Sequence, residues 1–325
     1  MSASETFASA RGPVPPRRSD RFVWPLMILA IGVVGVGLGN SYQLTLLVNL
    51  AVTIILTLSL NLVVGYSGQF SLAHAAFFGL GAYVSGVAAK TLGIPPILCL
   101  PISLFVVAIL ATIVGIPAAR FQGYYLAVAS LAFGILVEIL VRQSPDLTGG
   151  AYGLQQIPGL NFFTPVEGQG YGILAVVVLA LFVLGHHNLL TSTLGRAIVA
   201  VRDNPAAAAA TGISTVQTRL SAFVISATAA ALAGWLHTFY HRALNPMLFN
   251  AEWTFIWLFM VLIGGIGHWR GVILGTILLG LVPEFLGFAT DQTILGVGVL
   301  MVVAALFAPR GLGGLLDRAF ARFRL

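Results

Sequence analysis

Between residues 22 and 308 the chain is almost a continuous series of apolar runs, and this pattern constrains the fold more than any motif does. A helix crossing the hydrocarbon core, about 30 Å thick, needs about 20 apolar residues at about 1.5 Å each. Ten stretches meet or approach that requirement: 22–39, 44–64, 72–89, 97–117, 124–141, 172–190, 220–240, 253–267, 271–289 and 293–308. The stretch 253–267 is short, and 72–89 is interrupted by small residues. The runs are continuous rather than alternating, so a barrel of strands with period-two hydrophobicity is excluded. Only 8% of the residues are charged, against about 25% in a soluble domain, so the chain cannot cover a water-facing surface. The expected fold class is all-α: a polytopic transmembrane helix bundle of about ten spans.

Charge orients that bundle. With the N-terminus cytoplasmic and ten spans crossing, 13 of the 16 cationic residues fall inside, and only Lys90, Arg142 and Arg242 fall outside. Cationic loops resist translocation, so this is the expected sign of the asymmetry. Losing one span would invert every later loop and spoil the split. Both termini are therefore expected in the cytoplasm, with residues 1–21 a flexible tail, 22–308 the membrane domain and 309–325 a basic tail. The first span is read as retained, since no small-residue cleavage site follows it. The basic pI of about 9.9 could suggest nucleic-acid binding, but the arginines lie in short loops beside apolar spans, and no nucleic-acid partner is expected. Cys99 is alone, so no disulfide framework exists.

Two loops are long enough to have their own character. The outer loop 142–171 contains "LTGGAYGLQQIPGLNFFTP", in which Thr148, Gly149, Gly150 and Gly153 precede further glycine and proline. These residues forbid a long helix and predict shaped irregular backbone, either a docking surface or a plain connector. The inner loop 191–219 reads "TSTLGRAIVAVRDNPAAAAATGISTVQTR". Asp203 or Asn204 can cap a helix that begins at Pro205, and Gly212 can end it in the left-handed conformation, which predicts a short helix over 205–211. Its alanines leave room for another surface to approach closely.

The stretch "GYSGQFSLAHAAFFGLGAY", residues 65–83, places Ser67, Gln69, Ser71 and His74 among four glycines at a membrane span. Backbone that leaves helical geometry in a membrane is tolerated only where protein buries it or a cavity hydrates it. Gly65 and Gly68 are expected to turn the chain, Ser67 and Gln69 to satisfy freed backbone groups, and Gly79 and Gly81 to permit close helix approach. His74 by itself reads as a satisfied packing histidine. The stretch is either a broken helix beside a route or a tight packing seam. Glu138, near the outer end of its span, and Glu284, deeper and next to Pro283, are the two acids within spans; Glu284 alone is a thin basis for a proton relay. "GYSGQF" is echoed by "GGIGHW" around Gly264, but both fall on the same side of the membrane and give no inverted repeat.

At the inner loop the sequence resembles a known family, the LivM-type permeases of branched-chain amino acid importers of the ATP-binding-cassette class. "GRAIVAVRDN" carries Gly195, Arg196, Ala197, Ala200, Arg202, Asp203 and Asn204 at the places of that family's lead into its coupling helix. "GYSGQFSLAHAAFFGLGAY", "GYYLAVASLAFGILVEIL" with "LTGGAYGL", and "LIGGIGHWRGVILG" match its other motifs in order, from about residue 45 to 310. Two departures stand out: Ala209 replaces the usual glutamate of the coupling helix, and Val272 the usual proline after the late glycine. The resemblance implies a permease subunit in the bacterial cytoplasmic (inner) membrane, without an ATPase domain or cofactor of its own. ATP would be used by two partner ATPase subunits that dock at Gly195, Arg196, Arg202, Asp203, Asn204, Ala209 and Gly212. A second permease subunit and an extracytoplasmic substrate-binding protein would complete the importer. The resemblance also favours placing residues 65–83 beside the route, with Ser67, Gln69, Ser71, His74, Glu138 and Glu284 as candidates to line it.

Two other classes fit these residues less well. A stand-alone secondary transporter or channel wants partnered charges near the midplane, and the spans offer almost none. A membrane enzyme wants clustered catalytic or metal groups; His186 and His187 are adjacent and point to different helix faces, and no HExxH set occurs. Among substrates, branched-chain amino acids lead, with urea, amides and small aromatic acids as the alternative.

Overall fold

A computed structural model describes residues 20–119, 124–160, 168–286 and 311–314. The expected span 293–308 and Arg120 lie outside the described residues. The helices are α1 (Asp20–Leu38), α2 (Ser41–Asn61), α3 (His74–Thr91), α4 (Pro96–Ala118), α5 (Tyr124–Arg142), the single turn α6 (Pro145–Thr148), α7 (Gln169–Thr191), α8 (Thr193–Asp203), α9 (Pro205–Ala210), α10 (Thr215–His241), α11 (Ala251–Gly264) and α12 (Trp269–Leu286). Among the described residues the only β pairing is one isolated bridge, Leu154 with Leu244. Nine of these helices coincide with nine of the ten apolar stretches. Six are long and apolar enough to cross a membrane. The remaining three are α3, rich in small residues, and the shorter α11 and α12.

Local chemistry explains the boundaries. Asn40 and Gln43 exchange side-chain bonds with each other's backbone N–H at the start of α2, a capping box. Ser192, Asn204 and Ser214 accept N–H bonds at the starts of α8, α9 and α10. Within the spans, buried hydroxyls return to carbonyls three or four residues back, as Thr57, Ser85 and Thr276 do.

The core is organised around α3, of whose 18 residues 13 are buried. α3 packs chiefly against α10 and α4, α10 also against α2, and α1 lies against α7 on the outside. α3 and α10 cross at glycines: a side chain on Gly81 would strike the backbone of Ala231, and one on Gly234 the backbone of Phe78 and Ala82. In lipid, where there is little hydrophobic drive between helices, such close approach supplies the packing contacts.

Two spans are broken. α2 widens into a π-helical turn, Leu62–Tyr66, and residues 67–73 are non-helical before α3 begins. α10 ends at His241, and the chain runs without regular α-helix to Asn250 before α11 begins. These elements lie antiparallel and side by side. Leu244 sits by Gly86, Phe249 by Gly79, and Trp257 by His74. The sequence expectation for Gly65 is corrected here. Gly65 does not turn the chain; it lies in the π-turn, where a side chain would collide with Asn61 and the Gly267 N–H. The reversal is made by Gly68, at φ +68°.

The described ends share one end of the bundle. Trp24 of α1 packs edge-on against Trp269 at the start of α12, and Gly311 and Gly313 abut Gly265 and Gly271. That end also carries Arg196, Arg202, Arg219 and Arg270 and is called the arginine-rich end below.

Candidate functional site

At the arginine-rich end, α8 buries Ile198 and Val201, and Gly195 lies so close to the carbonyls of Leu189 and Leu190 that no side chain fits. Arg196 donates from Nη1 to the Thr191 carbonyl (2.9 Å), anchoring the corner after α7. Asn204 leaves helical geometry (φ −152°, ψ 96°), its Oδ1 accepts the Ala207 N–H (3.0 Å), and Pro205 occupies the first position of α9. The chain exits through Gly212 at φ +85°, with the Ile213 N–H returning to the Ala208 carbonyl (3.1 Å). The helix expected over 205–211 is thus present as Pro205–Ala210, capped as its sequence requires. Only Ala208 of α9 is buried; Asp203, Asn204, Ala209 and Gly212 are exposed. The result is a short alanine knob standing out of the bundle.

This knob is tied to the first broken span. The aliphatic stem of Arg202 covers Gly68, its Cγ 3.0 Å from where a side chain would begin. Gln69 donates from Nε2 to the Arg219 carbonyl at the start of α10 (3.0 Å) and to Ser67 Oγ (2.5 Å). Ser67 and Gln69 therefore do not cap the break itself. Its backbone donors are served by other groups: Leu72 N–H by Ser130 Oγ of α5 (2.8 Å), Ala73 N–H by Ser71 Oγ (3.4 Å), and Ala75 N–H by Thr254 Oγ1 of α11 (3.0 Å). His74 is a packing histidine as expected, with Nε2 2.7 Å from Ser59 Oγ and the Trp257 ring edge-on at 6.4 Å. Asn61 joins the two glycine motifs: its Oδ1 accepts the Gly267 N–H (2.9 Å), so "GYSGQF" and "GGIGHW" are neighbours in space. His186 meets Tyr66 and Phe182, whereas His187 meets Trp269, in accord with opposite helix faces.

At the opposite end, the loop after α5 is a built structure over its described residues 143–160. Thr148 Oγ1 donates to the carbonyls of Val141 and Ser144 and accepts the Gly150 N–H. Gly149, Gly150 and Gly153 all have positive φ, and a side chain on Gly153 would run into the Leu244 carbonyl. Leu154 and Leu244 exchange backbone hydrogen bonds (3.0 and 2.8 Å), Ile157 N–H donates to the Arg242 carbonyl, and Lys90 Nζ holds the Gln155 carbonyl (2.7 Å). The loop thereby clamps the start of the second break and leaves Tyr152 93% exposed at its tip.

The structure unites Ser67, Gln69 and Arg202, with Ser71 and His74 a turn further on. Glu138 stands apart, in an i,i+4 ion pair with Arg142 along α5 (2.8 Å). The helix α12 continues through Glu284, whose side chain lies outside the described residues. Among the described residues no group of three or more His, Cys, Asp or Glu could hold a metal ion. The residues that sequence reasoning missed, Asn61, Ser130, Arg219 and Thr254, are single polar groups whose partners lie 58–206 positions away. For Asn61, Ser130 and Thr254 the one signal was a polar side chain inside or at the edge of an apolar run; Arg219 contributes its backbone carbonyl, which no side chain announces.

Apolar helices, two of them preceded by non-helical entries, together with an exposed capped knob define a multi-pass membrane protein of the permease kind. The profile of a family described as the permease component of branched-chain amino acid transport systems matches residues 42–307, and the chain belongs to that family. It is 34% identical to the high-affinity branched-chain amino acid transport system permease protein LivM of Escherichia coli (strain K12), over 90% of this chain and 74% of the relative. It is also 34% identical to the corresponding LivM of Salmonella typhimurium, over 80% of this chain and 67% of the relative. Against the probable LivM of Methanocaldococcus jannaschii the identity is 26%, over 79% and 89% of the two chains. No solved structure matches.

Proposed function

We propose that the chain is a membrane-spanning permease subunit of an ATP-binding-cassette importer and forms part of the route for branched-chain amino acids. In this reading it lies in the bacterial cytoplasmic membrane with ten spans, and the arginine-rich end faces the cytoplasm. It works beside a second permease, two ATPase subunits that use the ATP, and an extracytoplasmic binding protein received at the outer loop. The observation that carries the reading is α9, an exposed alanine knob capped at both ends and seated on the first broken span. Docking on such a knob lets a partner's ATP cycle move the permease without catalytic groups in this chain. The likeness to the LivM proteins supports the substrate, and urea, amides or small aromatic acids are the alternative.

The docking reading is tested at Gly212. Nothing lies within 4 Å of a side chain added there, so Gly212→Val acts through the backbone alone. A β-branched residue resists φ +85° by about 1–2 kcal/mol. The variant should insert and pair normally, yet lose solute-stimulated ATP hydrolysis and ATPase co-purification. Wild-type hydrolysis and transport in this variant would reduce α9 to a connector. Thermal-shift screening of the binding protein against amino acids and amides decides the substrate.

A further inference from the structure

Gln69 and Leu72 are both buried and both pinned, the first to α10 and the second to α5, yet Phe70 between them is 46% exposed. The turn is also fixed to α2, through the Ser67 N–H on the Leu62 carbonyl (3.0 Å) and the Gln69 N–H on the Val63 carbonyl (2.9 Å). A turn held this firmly, with its Leu72 N–H bonded to Ser130 of α5, presents its aromatic side chain in one direction. Depth then matters. His74 sits beside Ser59, seven residues before Tyr66, so residues 67–73 climb about 10 Å from the end of α2 into the span. Non-helical backbone at that depth cannot face hydrocarbon; it must be covered by protein or line a water-filled cavity. Residues 67–73 meet this requirement by protein cover, with Ser67, Gln69, Ser71, Leu72 and Ala73 all buried, and Phe70 is the one exposed side chain of the turn.

The same turn holds both flanks of the docking knob. Arg202, two residues before the corner at Asn204, lies over Gly68, and the carbonyl of Arg219, in the second turn of α10, is held by Gln69. A displacement of α9 relative to α2 therefore acts on residues 68 and 69 from two directions, with Phe70 next in the chain. Gly68 has no side chain to cushion the contact, and at φ +68° it is a position where other residues are strained.

We infer that Phe70 is a gating side chain of the translocation route and that the turn 67–71 moves it when an ATPase shifts α9. The inference rests on the docking reading above, but not on which solute is carried. In the resting complex Phe70 occludes the inner part of the route beside α5. When α9 is displaced, Arg202 and the Arg219 carbonyl carry Gly68 and Gln69 with them, and Phe70 changes its exposure to water.

The test uses the full importer complex in nanodiscs, with Phe70→Cys in a Cys99→Ser background. A charged, membrane-impermeant maleimide is applied without nucleotide and after trapping with ATP and vanadate. The rate of labelling at position 70 should differ between the two states by at least about fivefold, the lower range of typical site-to-site coupling. Phe105→Cys on α4, a residue 67% exposed, should label at the same rate in both. Adding Gln69→Leu, which removes the tie to Arg219, should shrink the difference at position 70 to less than about twofold, below that range. Equal rates at position 70 in the two states, no labelling in either, or a difference that survives Gln69→Leu would each overturn the inference. A complex that takes up no branched-chain amino acid but shows the nucleotide-dependent difference would remove the substrate reading and leave the gate standing. Loss of the difference in the complex that still transports would do the reverse.

Discussion

Replacing Gly81 by alanine adds one methyl group at the most tightly approached point of the α3–α10 crossing. That methyl would lie on the Cα, Cβ and carbonyl oxygen of Ala231, so main chain rather than a movable side-chain tip must yield. The reciprocal contact of Gly234 with Phe78 and Ala82 removes the option of tilting one helix around the other. Overpacking a closed core costs about 1–3 kcal/mol. Separating the helices also stretches the bond from Thr238 Oγ1 to the Ala82 carbonyl, already 3.2 Å, and an interhelical bond in a membrane is worth about 0.6 kcal/mol. The expected loss is thus about 2–4 kcal/mol. Gly185→Ala on α7 is the control, since nothing lies within 4 Å of a side chain added there. Relieving a helix-interior glycine should leave that variant unchanged or more stable by about 0.5–1 kcal/mol. Thermal unfolding of the detergent-solubilised protein, followed by size-exclusion recovery, should show Gly81→Ala falling well below wild type and Gly185→Ala at or above it. Equal midpoints for the two variants would refute the claim that backbone proximity at this crossing holds the core together.

Further outcomes are expected. Asn61→Leu strands the Gly267 N–H in a fully buried place and should cost about 1–3 kcal/mol, read as a lower unfolding midpoint, with Asn61→Asp recovering part of it. Thr254→Val removes the oxygen that accepts the Ala75 N–H while keeping the side chain's shape; uptake and stability should both fall, and Thr254→Ser should restore them. Ala209→Glu adds a charge to an exposed position of α9 and should leave the unfolding midpoint unchanged and ATPase co-purification intact or stronger. Gly153→Ala places a side chain against the Leu244 carbonyl and should raise protease sensitivity of the outer loop without altering α9 docking.

Much of this architecture was written locally. The places of nine apolar helices follow from run length, because a helix satisfies its backbone within itself and needs only apolar side chains to enter lipid. The knob was legible for the same reason: Asn204, Pro205 and Gly212 act on their immediate neighbours, and their capping geometry does not depend on the rest of the fold. That the chain breaks near residue 68 was visible in its glycines and hydroxyls. What seals the break was not. Leu72 depends on Ser130, Ala75 on Thr254 and Gly267 on Asn61, and a hydroxyl or amide in an apolar run carries no information about which distant donor it will meet. Tertiary structure also decided the second break, because 243–250 has ordinary turn composition and is placed by lying along α3 from Gly86 to Gly79. It decided, too, that Gln69 reaches α10 as well as Ser67 of its own turn, since after Gly68 reverses the chain the Arg219 carbonyl lies within its reach. Hydrophobic length and capping are properties of a segment, whereas the satisfaction of a broken helix in lipid is a property of the neighbours that packing brings to it.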